Sequence, residues 1–120
     1  MITEISVADL PAWVAQQRAA GQQPYLLDVR AAWELESATA QAQIAQMGIV
    51  FGHTPLSQLD ELLETDSLPP KTAPIACLCH HGMRSMAALM MLEQKGYTQL
   101  YNIRGGIAAW ADLLPEIGRY

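Results

Sequence analysis

The chain is 120 residues long, 51% hydrophobic and 16% charged, with a formal net charge of −5. These values fit one core-forming domain over residues 1–120 and exclude a disordered chain. The acidic balance argues against nucleic acid or an anionic membrane surface as a partner.

Ile2–Ile5 is a short β-prone run, and Ser6 followed by Asp9 has the form of a capping box that opens a helix. Pro11 is comfortable only in a first turn, which makes Asp9 the alternative cap, with Leu10, Trp13 and Val14 on the buried face and Gly21 near the stop. Tyr25–Val29 is a compact apolar run with Asp28 and Arg30 at its end, the pattern of a buried parallel strand whose polar residues lie at the carboxyl end. Residues 31–46 are rich in Ala, Gln and Glu and predict a helix. Residues 48–53 predict a third strand, and 56–63 have helical spacing. Leu68–Pro74 is a turn-rich connector. A strand is expected over 74–78 and a helix over 85–95, apolar nearly all round and so expected to be buried, with Met86, Met90 and Met91 in the core. Leu100–Ile103 predicts the last strand, Gly105-Gly106 a tight turn, and 107–113 a short helix; Trp33 and Trp110 are expected to pack.

Strands that alternate with helices at this spacing indicate an α/β domain with a parallel sheet, whose ligand lies beyond the carboxyl ends of the strands. Cys79, Asp28 and Gly105 all fall at such ends. No basic segment precedes an apolar stretch in Met1–Ser6, and the longest apolar run, Met86–Leu92, is short of a membrane span, so the expected location is cytoplasmic. Cys77 and Cys79 are too few for a disulfide framework, which fits a reducing compartment.

The chemistry concentrates in Cys79-His80-His81-Gly82-Met83-Arg84-Ser85. A cysteine at a strand end, before a tight loop into a helix N-terminus, sits where backbone N–H groups gather an anion. The helix end and the nearby cations favour the thiolate. Gly82 permits dihedrals that let successive amides from His80 to Ser85 turn inward, and Arg84 adds a permanent charge at the rim. Four residues separate Cys79 from Arg84. Cysteine phosphatases use a longer loop to surround a phosphoryl group, so this ring suits a single sulfur better.

Blander readings stand beside these. Cys79 as a buried structural thiol is the alternative to a nucleophile, and Cys77 within its strand reads as packing. Cys77, Cys79, His80 and His81 lack the paired spacing of a zinc site, so no metal is expected. His80 and His81 either tune charge at the mouth or face solvent. Asp28 and Arg30 read as an ion pair bracing the Cys79 loop, Gly105 and Gly106 as a turn that approaches it, and Glu34 as a solvated or structural carboxylate.

Three motifs together carry a family resemblance: Asp28-Val29-Arg30 followed by Trp33-Glu34, the Cys79-x-x-Gly82-x-Arg84-Ser85 loop, and Gly105-Gly106-Ile107-x-Ala109-Trp110. In this order and spacing they resemble a single-domain rhodanese. The resemblance implies a five-stranded parallel sheet with helices on both faces and a persulfide carried on Cys79. It further implies substrate contacts from His80, His81, Gly82, Met83, Arg84 and Ser85, and no cofactor. The implied cycle is ping-pong: a small anionic donor such as thiosulfate leaves as sulfite, and a thiol or cyanide collects the sulfur. A reading from another class is a persulfide-carrying module that exchanges sulfur with a partner protein and uses free thiosulfate poorly. A Cys-dependent phosphatase or arsenate reductase is the third, disfavoured by the short loop. The chain departs from the family at Gln43-Ile44-Ala45-Gln46, where a Gly-His-Ile-Pro-Gly-like turn is common; Gly52-His53-Thr54-Pro55 reads instead as the following strand and its exit.

Overall fold

Each apolar run read as a strand forms one. In a computed structural model describing residues 1–120, the strands are β1 (Ile2–Ile5), β2 (Tyr25–Asp28), β3 (Val50–His53), β4 (Pro74–Leu78) and β5 (Gln99–Ile103). They make one sheet in the order β1-β5-β4-β2-β3, every pair parallel. The helices are α1 (Leu10–Ala19), α2 (Ala32–Ser37), α3 (Gln41–Met47), α4 (Leu59–Leu63), α5 (Met83–Gln94) and α6 (Gly106–Leu113).

The two-residue side-chain alternation of the strands sorts the core into two layers. Leu26, Ala76, Leu78 and Ile103 face α1, α3 and α6, meeting Trp13, Ile44, Ile107 and Trp110. Leu27, Ile75, Cys77 and Leu100 face α4 and α5, meeting Leu59, Leu89 and Leu92. Because both faces are covered, the central strand β4 is buried at all five positions, and each buried Leu or Ile contributes about 1.5–3 kcal/mol. From β2 the chain moves outward to β3, whereas from β4 it moves to β5 on the other side. The crevice between β2 and β4 is therefore a topological switch point, and Cys79 follows directly from β4 there.

Several expectations are corrected. Residues 31–46 form two short helices, because Ala38 is extended (φ −152°, ψ 129°). The break has a cause in Arg30, whose buried guanidinium takes the Ala38 carbonyl at 2.8 Å and the Glu34 carbonyl at 3.3 Å. Gly48 caps α3 in the left-handed region (φ 72°), so the third strand starts at Val50. Ser6 accepts the Asp9 amide at 3.2 Å, as a cap should, but the turn it opens is a 3-10 turn, and α1 starts after it with Pro11 in its first turn. Leu56–Gln58 is likewise a 3-10 turn leading into α4. The apolar helix begins at Met83 and is buried on one side only, through Ser85, Ala88, Leu89 and Leu92; Met90 is exposed and Met86 and Met91 are half-buried. Trp33 is exposed, while Trp110 is in the core. Gly52-His53 ends β3 and Thr54-Pro55 is its exit. No helix is long and apolar enough to cross a membrane.

Candidate active site

Cys79 leaves the end of β4 almost fully enclosed, 1% exposed. The Gly82 amide donates to its Sγ at 3.0 Å, a geometry that the Gly82 dihedral (φ +102°) makes possible. The amides of His80 and His81 meet no acceptor within the chain. Behind the sulfur, the Cys79 thiol donates to Ser85 Oγ at 3.3 Å, Ser85 donates to Asn102 Oδ1 at 2.5 Å, and Asn102 Nδ2 donates to the Gly82 carbonyl at 3.1 Å and to Glu4 Oε1 at 3.3 Å. Ser85 on α5 and Asn102 on β5 are both buried, so this chain ties helix, sheet and loop around one atom.

The loop is clamped from below by the start of α6. Ile107 and Ala108 donate their amides to the carbonyls of Cys79 (2.9 Å) and His80 (3.1 Å). Gly105 and Gly106 turn the chain with φ of +75° and +61°, and a Cβ on Gly106 would fall on those same two carbonyl oxygens. Both glycines thus stand against the Cys79 loop.

Arg84 points its guanidinium at Glu34, with Nη1–Oε2 at 2.7 Å and Nη2–Oε1 at 2.6 Å, a two-pronged pair. Glu34 is buried and also accepts the Ala31 amide (2.8 Å) and the Tyr120 hydroxyl (2.8 Å). Arg84 above all, opposed by burial and helped by these two donors, lowers the Glu34 pKa from 4.5 to about 2. Glu34 is therefore structural, and it compensates the charge that the sequence assigns to the rim alone. The Arg84 side chain remains 38% exposed, open to solvent beside the loop.

Asp28 and Arg30 form a pair at 2.9 Å, both 1% exposed. Arg30 directs its remaining donors to Glu34, Ala38 and Tyr120 rather than to the Cys79 loop, so the pair braces α2 and reaches the loop indirectly, through Glu34 and Tyr120. His80 stacks between His81 (3.9 Å) and Tyr120 (4.0 Å). Burial, then the neighbouring His81, lowers the His80 pKa, so the ring adds no charge at neutral pH. Cys77, fully buried, is held well above the usual thiol range by burial and the nearby Cys79. A cavity of about 130 Å³ opens beside His80, His81 and Tyr120. A larger hollow of about 500 Å³ lies at the opposite end of the sheet, near Tyr25, Val50 and Thr72, away from these groups.

Sequence reasoning missed Glu34 as the partner of Arg84, and it missed Asn102 and Tyr120. Asn102 has a signal, a lone polar residue inside the apolar run of β5. Tyr120 has none, since nothing local points it back toward residue 80.

Fold and site together define a class: an α/β domain that presents a cysteine sulfur at the switch point of a parallel sheet, in a short loop whose Gly82 amide donates to it. Within that class the chain belongs to the rhodanese-like domain family, whose model matches residues 10–113. The chain is 30% identical over 95 residues to a tRNA uridine(34) hydroxylase of Prochlorococcus marinus, covering 79% of this chain and 30% of that protein. It is 45% identical over 42 residues to a sulfurtransferase of Allochromatium vinosum, covering 35% of this chain and 39% of that protein. The chain thus spans less than half the length of these curated relatives. A rhodanese-related protein of Thermoplasma volcanium superposes with a TM-score of 0.65 at 26% identity, covering 93% of each chain.

Proposed function

We propose that the protein is a sulfurtransferase that moves a sulfane sulfur through a persulfide on Cys79. The observation that carries this reading is the Cys79 sulfur set on the Gly82 amide, with the His80 and His81 amides beside it meeting no acceptor of the chain. In the first half-reaction the Cys79 thiolate attacks the outer sulfur of thiosulfate. A Cys79 S–S bond forms, the S–S bond of the donor breaks, and sulfite leaves with the electron pair. The terminal sulfur carries the negative charge, which the loop amides stabilise. In the second half-reaction cyanide or a thiolate attacks that terminal sulfur, and Cys79 regains its thiolate. His80, His81, Gly82, Met83, Arg84 and Ser85 frame the donor, Arg84 through N–H groups not spent on Glu34.

A second reading is a persulfide carrier that exchanges sulfur with a partner protein. It is supported by the Arg84–Glu34 pair, which lowers the net attraction of the mouth for a free dianion. The relative named as a tRNA hydroxylase shares only 30% of its length with this chain, so the proposal rests on the Cys79 loop and not on that activity.

Intact mass after thiosulfate, and again after cyanide, tests both readings. The native protein is expected to gain one sulfur and lose it to cyanide, whereas Cys79→Ser folds and gains none. A sulfur that Cys79→Ser also acquires and transfers would refute the assignment. Loading from a protein persulfide but not from thiosulfate selects the carrier.

A further inference from the structure

The stretch that follows α6 lies beyond the residues matched by the family, yet it ends against the active loop. A 3-10 turn at Pro115–Ile117 buries Ile117, whose carbonyl accepts the Thr39 amide at 3.1 Å. The turn delivers Tyr120 to four neighbours. Its ring lies 4.0 Å from His80 at an interplanar angle of 18°, and its edge meets Trp33 at 5.6 Å. Its hydroxyl accepts from Arg30 Nη1 at 3.4 Å and donates to Glu34 Oε1 at 2.8 Å, the oxygen that also holds Arg84 Nη2. One phenol thus joins the buried Asp28–Arg30 pair to the Glu34–Arg84 pair at the loop. Burial, the largest cause, raises the pKa of this phenol, so it keeps its proton and stays a donor at neutral pH.

A carboxylate oxygen that accepts a hydroxyl proton shares its negative charge with that donor and has less to offer a guanidinium. We propose that Tyr120 is a specificity-determining residue of the Cys79 site: by drawing on Glu34, its hydroxyl leaves Arg84 positive enough to bind a doubly charged sulfur donor. The proposal rests on the sulfur-transfer reading and names the donor class, small oxyanions of sulfur with two charges. Tyr120 acts through Glu34 and Arg84 and is a positioning residue. Tyr120→Phe isolates the hydroxyl, because the ring on His80 and Trp33 is kept.

The first measurement does not need turnover. In Cys79→Ser protein, calorimetry reads the affinity for sulfite, the dianionic product, with Tyr120 or with Tyr120→Phe. The phenylalanine is expected to weaken sulfite about fivefold, the worth of one charge-assisted hydrogen bond felt through Glu34. Unchanged affinity overturns the proposal, and so does sulfite that binds in neither background. The second measurement uses native Cys79 and compares loading from thiosulfate with loading from hydrogen disulfide, a singly charged donor from which hydrosulfide leaves. Tyr120→Phe is expected to slow thiosulfate loading by the same factor and hydrogen disulfide loading by less than half as much. Equal slowing of both assigns Tyr120 to packing and overturns the proposal. A native protein that loads from neither donor refutes the sulfur-transfer reading, while the sulfite titration still decides the role of Tyr120.

Discussion

At the scale of single residues, the site works through partners whose polarity is set by burial. Ser85 has one proton, and with a neutral Cys79 it gives that proton to Asn102 Oδ1 at 2.5 Å while accepting from the thiol. Once the sulfur is anionic, the hydroxyl must turn to donate to it, so the Ser85–Asn102 bond is traded for a charge-assisted one. Glu34 is the other residue whose state matters. Its pKa is lowered from 4.5 to about 2, chiefly by Arg84. The unfolded chain therefore binds the proton more readily between those values, so the stability from Glu34 is fully present above the ordinary carboxylate pKa and is lost as pH falls through about 2. The half-open Arg84 is screened by water, which brings the contribution to the order of 2 kcal/mol. Urea unfolding of the native protein and Glu34→Gln across the acid range checks this. The native midpoint is expected to fall more steeply with acid than that of the variant, and parallel curves would remove Glu34 from the acid response.

At the scale of elements, the loop is positioned by what supports it more than by its own letters. The α6 turn illustrates this, because Gly106 has both a positive φ and a carbonyl wall formed by Cys79 and His80. Gly106→Ala is expected to cost more than about 2 kcal/mol and to cut sulfur transfer severely, since the loop must shift to admit the methyl group. Gly21→Ala is the control. Its φ is +78° but nothing lies within 4 Å of the added Cβ, so about 1 kcal/mol is expected with transfer unchanged. Equal effects of the two on transfer, followed by thermal melts and intact-mass loading, would count against the clamp. The elements that were legible in the sequence share one property: their pattern is local. Strands announce themselves by apolar runs, and the loop by Cys79, Gly82 and Arg84. The break between α2 and α3 was not legible, because Ala38 has good helix propensity and the groups that hold the chain open there, the Arg30 guanidinium on the Ala38 carbonyl and the Ile117 carbonyl on the Thr39 amide, come from elsewhere in the chain. The exposed flank of α5 was hidden for a related reason, since Met83 and Met90 are as apolar as the buried Leu89 and Leu92.

At the scale of the whole molecule, the two apolar layers are joined to the active end by charge. Asp28 ends β2 beside β4, Arg30 reaches across to the carbonyls of Glu34 and Ala38, and Tyr120 passes the connection to Glu34 and Arg84. Arg30 and Glu34 are each held by more than their ionic partners, Arg30 by the Glu34 and Ala38 carbonyls and Tyr120, Glu34 by the Ala31 amide and Tyr120, which is the condition under which a buried pair holds its geometry, whereas Asp28 depends on Arg30 alone. Removing one partner is then much worse than removing both. Arg30→Met leaves the Asp28 carboxylate enclosed without a cation and strips the Ala38 carbonyl of its donor, so a loss of about 3–5 kcal/mol is expected. The double substitution Asp28→Leu with Arg30→Met is expected to regain a large part of that loss, because no uncompensated charge remains. It should nevertheless load sulfur poorly, since the donors that hold the carbonyls of Glu34 and Ala38 are gone and Arg84 loses its fixed carboxylate. Chemical unfolding of both variants separates stability from placement. If the double variant regains stability and full loading together, Arg30 is a packing element alone, and the continuity of charge from sheet centre to loop plays no part in the site.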